Sequence, residues 1–106
     1  MPNYHRVRIE GGIYFFTVVT FNRDPILTTE PARQILHKVW NQTTIAYPFE
    51  TIAICLLPDH IHTLWRLPDG DANYSIRWNM IKGCFTRRYH KEHEVSELPN
   101  SSRLKR

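Results

Sequence analysis

The alternation of hydrophobic and polar residues along the 106-residue chain predicts five secondary-structure elements. Three runs are rich in β-branched and aromatic residues and are bounded by turn sequences, which is typical of strands. Two longer segments carry apolar residues at helical spacing, and Pro31 suits the first turn of the earlier one. The predicted elements are strands over 13–21, 49–57 and 60–67 and helices over 31–46 and 73–89.

The order of these elements, β-α-β-β-α, predicts the fold class. It is typical of α+β proteins with the split β-α-β arrangement of ferredoxin-like (RRM-like) folds, in which two helices cover one face of an antiparallel sheet. That fold ends in a closing strand, but residues 90–106 hold few aliphatic residues and one proline, so we expect the closing strand to be missing. We therefore predict an incomplete domain over 1–90 and a polar, basic, flexible tail over 91–106.

Each predicted element has a side for packing on the core. The helical stripes are Ala32, Ile35, Leu36, Val39 and Trp40 in the first helix and Ile76, Met80, Ile81, Cys84 and Phe85 in the second. The first strand is apolar on both faces and is therefore predicted to be central. In the third strand, Ile61, Thr63, Trp65 and Leu67 are predicted to face the helices, and His60, His62, Leu64 and Arg66 the opposite, open side.

His60 and His62 are the most informative residues of the chain. Side chains two apart on a strand point to the same side, so the two imidazoles lie next to each other and can share one metal ion. Arg66 on the same face can neutralise a phosphate beside that ion. A solvated polar face is the alternative, since His-x-His alone is not specific, but the neighbouring Asp59 favours the metal site.

Positive charge is concentrated in the last third of the chain. Residues 1–73 contain six Lys and Arg against seven Asp and Glu, a net charge of −1, and residues 74–106 contain eight against three, a net charge of +5. This favours a nucleic-acid partner, although a solvated basic helix has the same composition. The candidate DNA-binding residues are Arg6, Arg8, Arg66, Arg77, Trp78, Lys82, Arg87, Arg88 and Lys91.

Three further residue types refine this picture. Trp78 either stacks on DNA bases or packs in the core, and Gly83 within the second helix indicates a close approach by another element or by DNA. Cys55 and Cys84 have no metal-site or redox spacing and are predicted to be buried, reduced thiols.

No segment has the length of a membrane span or the form of a signal peptide, so we expect a cytoplasmic protein without membrane contact.

Three segments resemble a known family. Leu56–Pro68, with the sequence LLPDHIHTLWRLP, is similar to the HUH motif of the single-tyrosine, IS200-like transposases, in particular the REP-associated tyrosine transposases. Gly11–Val18 resembles the first strand of that family, and Tyr74–Lys82 resembles the helix that follows the motif. The resemblance extends from Tyr4 to about Arg88.

The resemblance implies an enzyme that cuts and rejoins single-stranded or hairpin DNA. It implies that His60 and His62 hold Mg²⁺ or Mn²⁺, which polarises the scissile phosphate, and that a tyrosine attacks it to leave a 5′-phosphotyrosine. In the family, that tyrosine and a third metal ligand lie on a helix after the closing strand, and the chain contains no such sequence. We therefore expect a truncated, inactive chain, in which Tyr89 is the best remaining candidate for the nucleophile.

Two other functions stay open. A non-catalytic module or regulator that binds single-stranded nucleic acid would use the basic residues without the metal. An unrelated RNA-recognition-like domain would stack bases on Tyr14, Phe16 or Trp65 and would have no use for the two histidines. With the closing strand absent, the first strand would also have an unpaired apolar edge, which favours a homodimer.

Overall fold

The computed structural model describes residues 11–93 and 104–105. Within them the strands are β1 (Ile13–Thr20), β2 (Glu50–Leu57), β3 (His60–Arg66) and β4 (Leu104–Lys105), and the helices are α1 (Glu30–Ala46) and α2 (Tyr74–His93). A 3-10 turn, Phe21–Arg23, follows β1. The strands form an antiparallel sheet in the order β2-β3-β1-β4, which confirms the predicted α+β fold and the central position of β1.

β4 corrects the expectation that no strand follows the second helix. It pairs antiparallel with the end of β1, with Val19 opposite Lys105 and Thr20 opposite Leu104. This is the side of the sheet on which a closing strand of the split β-α-β fold lies. In the described part of the chain this strand is two residues long, and α2 runs four residues beyond its predicted end at Tyr89.

The core lies between one face of the sheet and the two helices. Alternate residues of β1 and β3 are buried on that face, and the stripe predicted for α1 packs against them, with Trp40 at its margin. The buried residues are Tyr14, Phe16 and Val18 of β1, Ile61, Thr63 and Trp65 of β3, and Ala32, Ile35, Leu36 and Val39 of α1. The predicted division of the third strand into two faces is therefore confirmed.

The buried side of α2 differs from the predicted stripe. Ile81 and Phe85 are buried as expected, but Ile76, Met80 and Cys84 are only half-buried. Their places in the core are taken by Tyr74, Arg77, Trp78 and Tyr89. The helix is rotated because the large aromatic rings bury more area against the sheet than the shorter aliphatic side chains would.

Two smaller predictions also meet the structure. Cys55 is exposed on β2 and Cys84 is half-buried, so both are free thiols as predicted, but Cys55 is not in the core. A Cβ atom at Gly83 would meet only the guanidinium of Arg87, at 3.4 Å, so no described element makes the predicted close approach there. None of the helices in the described residues has the length and apolarity needed to cross a bilayer.

Candidate functional site

The face of the sheet that the helices leave open carries both histidines. His60 and His62 are half-buried on β3 and alternate with the buried Ile61. Their ring centroids are 4.8 Å apart and their planes are nearly perpendicular, at 81°. The predicted juxtaposition of two imidazoles on one side of a strand is therefore present.

The turn that leads into β3 is held by two backbone hydrogen bonds from residues that lie earlier in the chain. The backbone N–H of Thr20 donates to the carbonyl of Asp59 at 3.0 Å, and the N–H of Leu27 donates to the carbonyl of Pro58 at 2.9 Å. Pro58 and Asp59 form the two-residue connection between β2 and β3. The start of β3, and with it His60, is therefore held by the end of β1 and by the segment that joins β1 to α1.

The side chain of Asp59 lies between His60 and Arg23 and contacts both. One carboxylate oxygen lies 2.8 Å from Nδ1 of His60, and the other accepts a hydrogen bond from Nε of Arg23 at 2.8 Å. The hydrogen bond with His60 and then that with Arg23 lower the pKa of Asp59 to about 2. The carboxylate is therefore ionised at neutral pH and offers only acceptor atoms to Nδ1 of His60.

His62 has a different partner. Its Nδ1 lies 3.0 Å from Oγ1 of Thr17, the residue opposite it on β1. Both histidines thus use Nδ1 within the protein, which leaves Nε2 as the ring nitrogen for a metal ion. Two imidazoles fit a divalent metal as part of its ligand set, but the described residues contain no group of three His, Cys, Asp or Glu placed to hold one.

Phe15 is a feature of the open face that the sequence pattern did not single out. Its side chain is 50% exposed, and its ring stacks on that of His62 with centroids 5.6 Å apart and planes at 18°. Tyr14, Phe16 and Trp65, the stacking residues expected of an RNA-recognition-like domain, are buried on the helical side, so that expectation is wrong. Alternation along β1 puts Phe15 and Thr17 on one face, but only the register with β3 shows that this is the face of His62.

Arg66 lies on the open face as predicted. It is exposed at the end of β3, and its Nε is 3.3 Å from a carboxylate oxygen of Glu50 on β2. Both side chains are more than half exposed, so the pair holds the guanidinium only loosely. The guanidinium of Arg66 is therefore accessible to a phosphate on this face.

The basic residues late in α2 form a separate surface. Arg87, Arg88 and Lys91 line a groove of about 560 Å³ together with Cys84 and Glu92. Arg87 and Lys91 are exposed, and Arg88 is half-buried with its guanidinium 3.5 Å from Gln42 of α1. Lys82, one turn earlier, is half-buried. These four predicted DNA-binding residues lie on one helix, away from the open face.

Two other predicted DNA-binding residues belong to the core. Arg77 is 2% exposed, and its guanidinium makes five hydrogen bonds, to the carboxylate of Asp71 and to the carbonyls of Tyr47, Pro48 and Asn73. Such a fully bonded, enclosed guanidinium has no donor left for a phosphate. The structure therefore corrects Arg77 to a packing role.

Trp78 is corrected in the same way. Its ring is fully buried and stacks on Trp65, with centroids 4.6 Å apart and planes at 16°. Of the two interpretations that the sequence left open, core packing is the one observed. Arg6 and Arg8 lie outside the described residues.

Tyr89 is also placed on the helical side. It is 8% exposed and stacks on Phe85, with centroids 5.7 Å apart. His60 and His62 lie on the opposite face of the sheet. The structure thus separates the candidate nucleophile from the candidate metal ligands by the thickness of the sheet.

Comparisons with known proteins agree with this architecture. Residues 9–101 match the family of IS200-like transposases. The chain is 47% identical over 92 residues to a Haemophilus influenzae protein described as a REP-associated tyrosine transposase, and 41% identical over 86 residues to the REP-associated tyrosine transposase of Escherichia coli K12. The alignments cover 87% and 81% of this chain but 52% of each relative. The chain thus spans about half the length of the curated relatives it matches.

Two solved structures have a similar fold. A REP-associated tyrosine transposase bound to a REP hairpin matches with a TM-score of 0.74 at 39% identity, over 84% of this chain and 53% of that chain. A Deinococcus radiodurans protein described as a transposase matches with a TM-score of 0.58 at 18% identity, over 88% of this chain and 70% of that chain, which supports the fold alone. With its family match, its bacterial relatives and this fold, the chain belongs to the IS200-like transposase family.

Proposed function

We propose that this chain is the metal-binding and DNA-binding part of a REP-associated type of tyrosine transposase, which cuts and rejoins single-stranded DNA. The observation that carries this proposal is the pair of imidazoles on the open face, each with Nδ1 bonded inside the protein and Nε2 available. The family membership of the chain supports the same chemistry.

The side chains of the open face have distinct tasks in this proposal. A Mg²⁺ or Mn²⁺ ion held by His60 and His62 would polarise a phosphoryl oxygen of the DNA. Water and groups beyond the described residues would complete the ligand set. Arg66 contributes a positive charge on the same face, and Phe15 offers an exposed ring beside His62.

The nucleophile is proposed to lie outside the described residues. Tyr14, Tyr74 and Tyr89 are buried on the helical side, and Tyr47 caps the C-terminus of α1. None of these described tyrosines sits beside His60 and His62, so we propose that the described residues alone do not cut DNA. This is the inactive chain that the sequence predicts.

Binding of hairpin DNA is proposed to use the basic groove of α2, formed by Arg87, Arg88 and Lys91. A similar protein has been solved with a REP hairpin bound, which supports the same class of ligand for this chain. The contacts would be mainly with phosphates, because the groove offers cations and its aromatic neighbours Phe85 and Tyr89 are buried.

Metal binding can be tested by NMR titration of the full chain with Mn²⁺. We expect the ring signals of His60 and His62 to broaden together, with weak affinity since two imidazoles leave the site short of ligands. His37, exposed on α1, is the internal control. In a His60→Ala variant the effect on His62 should fall sharply. Broadening of His37 with both site histidines unaffected would remove the metal site from this proposal.

The second candidate function is a binding module without chemistry, which the burial of Tyr89 favours. Binding of hairpin DNA that is identical with Mn²⁺ and with EDTA, and unchanged in a His60→Ala, His62→Ala variant, would support it.

Work on chromosomal DNA in a bacterium takes place in the cytoplasm, so that location is part of the proposal. A homodimer through β1 also remains part of the proposal, because among the described residues β4 pairs only with Val19 and Thr20 of β1.

A further inference from the structure

We propose that Asp59 and Arg23 are positioning residues that lock the tautomer of His60, whereas Thr17 leaves the tautomer of His62 adjustable. This inference rests on the proposed function only for its purpose, which is to present one ring nitrogen to a metal ion. The tautomers themselves are properties of the metal-free chain.

The lock on His60 follows from the chemistry of its partner. An ionised carboxylate has acceptor atoms only, so a neutral His60 must carry its proton on Nδ1 to form the 2.8 Å hydrogen bond with Asp59. Nε2 then has its lone pair available before any metal binds. A histidine without such a partner exchanges its proton between both nitrogens, and a fraction of it would have Nε2 blocked.

Asp59 is itself fixed at three points. Its second carboxylate oxygen is 2.8 Å from Nε of Arg23, and its backbone carbonyl accepts a hydrogen bond from the N–H of Thr20. With both carboxylate oxygens bonded, the plane of the group cannot turn without breaking a contact. The direction of the lone pairs that meet His60 is thereby set.

The backbone at Arg23 indicates that this contact is more than an accidental surface pair. Asn22 and Arg23 both have a φ of 54°, in the left-handed region that residues other than glycine rarely adopt. Arg23 is 62% exposed, so its ion pair with Asp59 adds little to stability. A strained turn that delivers an exposed arginine to one carboxylate is explained by orientation of that carboxylate.

His62 lacks such a lock. The hydroxyl of Thr17 can either accept the proton of Nδ1 or donate to an unprotonated Nδ1, and the 3.0 Å contact is compatible with both. The ring is therefore oriented while its tautomer can change when a cation approaches Nε2. We infer that His60 is the preset ligand and His62 the one that adapts.

Long-range ¹H–¹⁵N NMR of the full chain, with ¹⁵N-labelled histidine and no metal, tests this at about pH 8, above the ordinary His pKa of about 6.5. We expect His60 with Nδ1 protonated and Nε2 unprotonated. Asp59→Ala should return His60 to a mixture of tautomers, whereas Asp59→Asn, whose amide oxygen is held by Arg23 and whose NH₂ group then faces Nδ1, should favour the tautomer with the proton on Nε2. Arg23→Gln should shift the tautomers of His60 in the same direction as Asp59→Ala, but by less. Arg23→Lys, which keeps the positive charge, should give the spectrum of the unsubstituted chain. His37 serves as the control in every variant.

A merely structural role would give a different result. If His60 carries its proton on Nε2 in the unsubstituted chain, or keeps one tautomer in a folded Asp59→Ala variant, the positioning role is excluded. Circular dichroism establishes folding, and Arg23→Gln provides the same reading should Asp59→Ala not fold. Thr17→Ser keeps the hydroxyl and should leave the ring ¹⁵N signals of His62 unchanged. Thr17→Val removes the hydroxyl and should alter these signals.

The affinity for Mn²⁺ then separates the two proposals. If both hold, Asp59→Ala should weaken the affinity for Mn²⁺, measured by the broadening of both rings, by about 10- to 100-fold, the usual effect of losing an outer-shell partner. If Mn²⁺ affects neither ring of the unsubstituted chain, the proposed metal site fails, while the metal-free spectrum still decides the positioning roles of Asp59 and Arg23.

Discussion

The indole of Trp78 on α2 lies nearly parallel to that of Trp65 on β3, with ring centroids 4.6 Å apart. Trp65 and Trp78 are both fully buried, and Trp40 of α1 meets each of them edge to face. The three rings join both helices to the strand that carries His60 and His62. Packing on the covered side of β3 therefore holds the strand on which the open-face site is built.

Loss of Trp78 should be strongly destabilising. We expect Trp78→Ala to lower the free energy of unfolding by about 3–5 kcal/mol, because a large buried ring is replaced by a cavity next to Trp65. Urea unfolding followed by circular dichroism measures the change. Asn79→Ala, at an exposed neighbouring position, is the matched control and should change little. A loss as small as that of Asn79→Ala would contradict the burial of the ring.

Arg77 should not tolerate its conservative replacement. Arg77→Lys removes the planar fork that serves the carboxylate of Asp71 and three backbone carbonyls, so at least one buried acceptor loses its partner. We expect a loss of about 1–3 kcal/mol in the free energy of unfolding. Arg87→Lys, on the exposed side of the same helix, should be close to neutral. Equal stability of the two variants would show that the bonds of Arg77 contribute nothing.

The ion pair of Asp71 with Arg77 should make the fold sensitive to acid. The hydrogen bond from Arg77, followed by that from the backbone of Asn73, lowers the pKa of Asp71 below its ordinary value of 3.8. A lowered folded-state pKa contributes stability that is fully present above 3.8 and is lost as the pH falls through the lowered value. We therefore expect Asp71→Asn to be less stable than the unsubstituted chain at neutral pH, and the difference to shrink in strong acid. Thermal unfolding at a series of pH values measures it, and a constant difference would contradict the assignment.

Charge reversal in the α2 groove should weaken binding of hairpin or single-stranded DNA. For Arg87→Glu, Arg88→Glu we expect a weaker affinity and a salt dependence whose log–log slope is shallower for each lost phosphate contact, by about 0.7 for single-stranded DNA and about 0.9 for a duplex stem. Fluorescence anisotropy at several salt concentrations measures both quantities. Arg33→Glu, Lys38→Glu, at two exposed positions of α1, is the control with the same change in net charge. The same loss in the control would make the effect one of total charge and not of this groove.

The 106-residue chain should form no covalent adduct with DNA. Incubation with labelled hairpin DNA and Mn²⁺, followed by denaturing electrophoresis, tests this, since the described tyrosines do not reach the histidine face. An enzyme of this type that has no tyrosine beside its metal ligands loses several orders of magnitude in rate. An adduct that survives denaturation and disappears in Tyr89→Phe would overturn the separation of Tyr89 from the site.

The sequence by itself determined the elements and the histidine face. Period-two and period-3.6 patterns and turn residues are local properties, so they located β1 to β3, α1 and α2 to within a few residues. The same local rule placed His60 and His62 on one side of β3. The motif around these residues also led to the correct family.

The tertiary structure decided what depends on contacts between distant parts of the chain. Thr17 meets His62 across 45 residues, and Arg23 meets Asp59 across 36, so neither pairing is encoded in a local pattern. The rotation of α2, which buries Arg77 and Trp78, followed from the fit of large rings against the sheet. The pairing of β4 with β1 was likewise hidden, because two residues are too few to produce a periodic signal. Side-chain periodicity reports which face of an element is apolar, but only the packed structure selects the partners that satisfy its polar atoms.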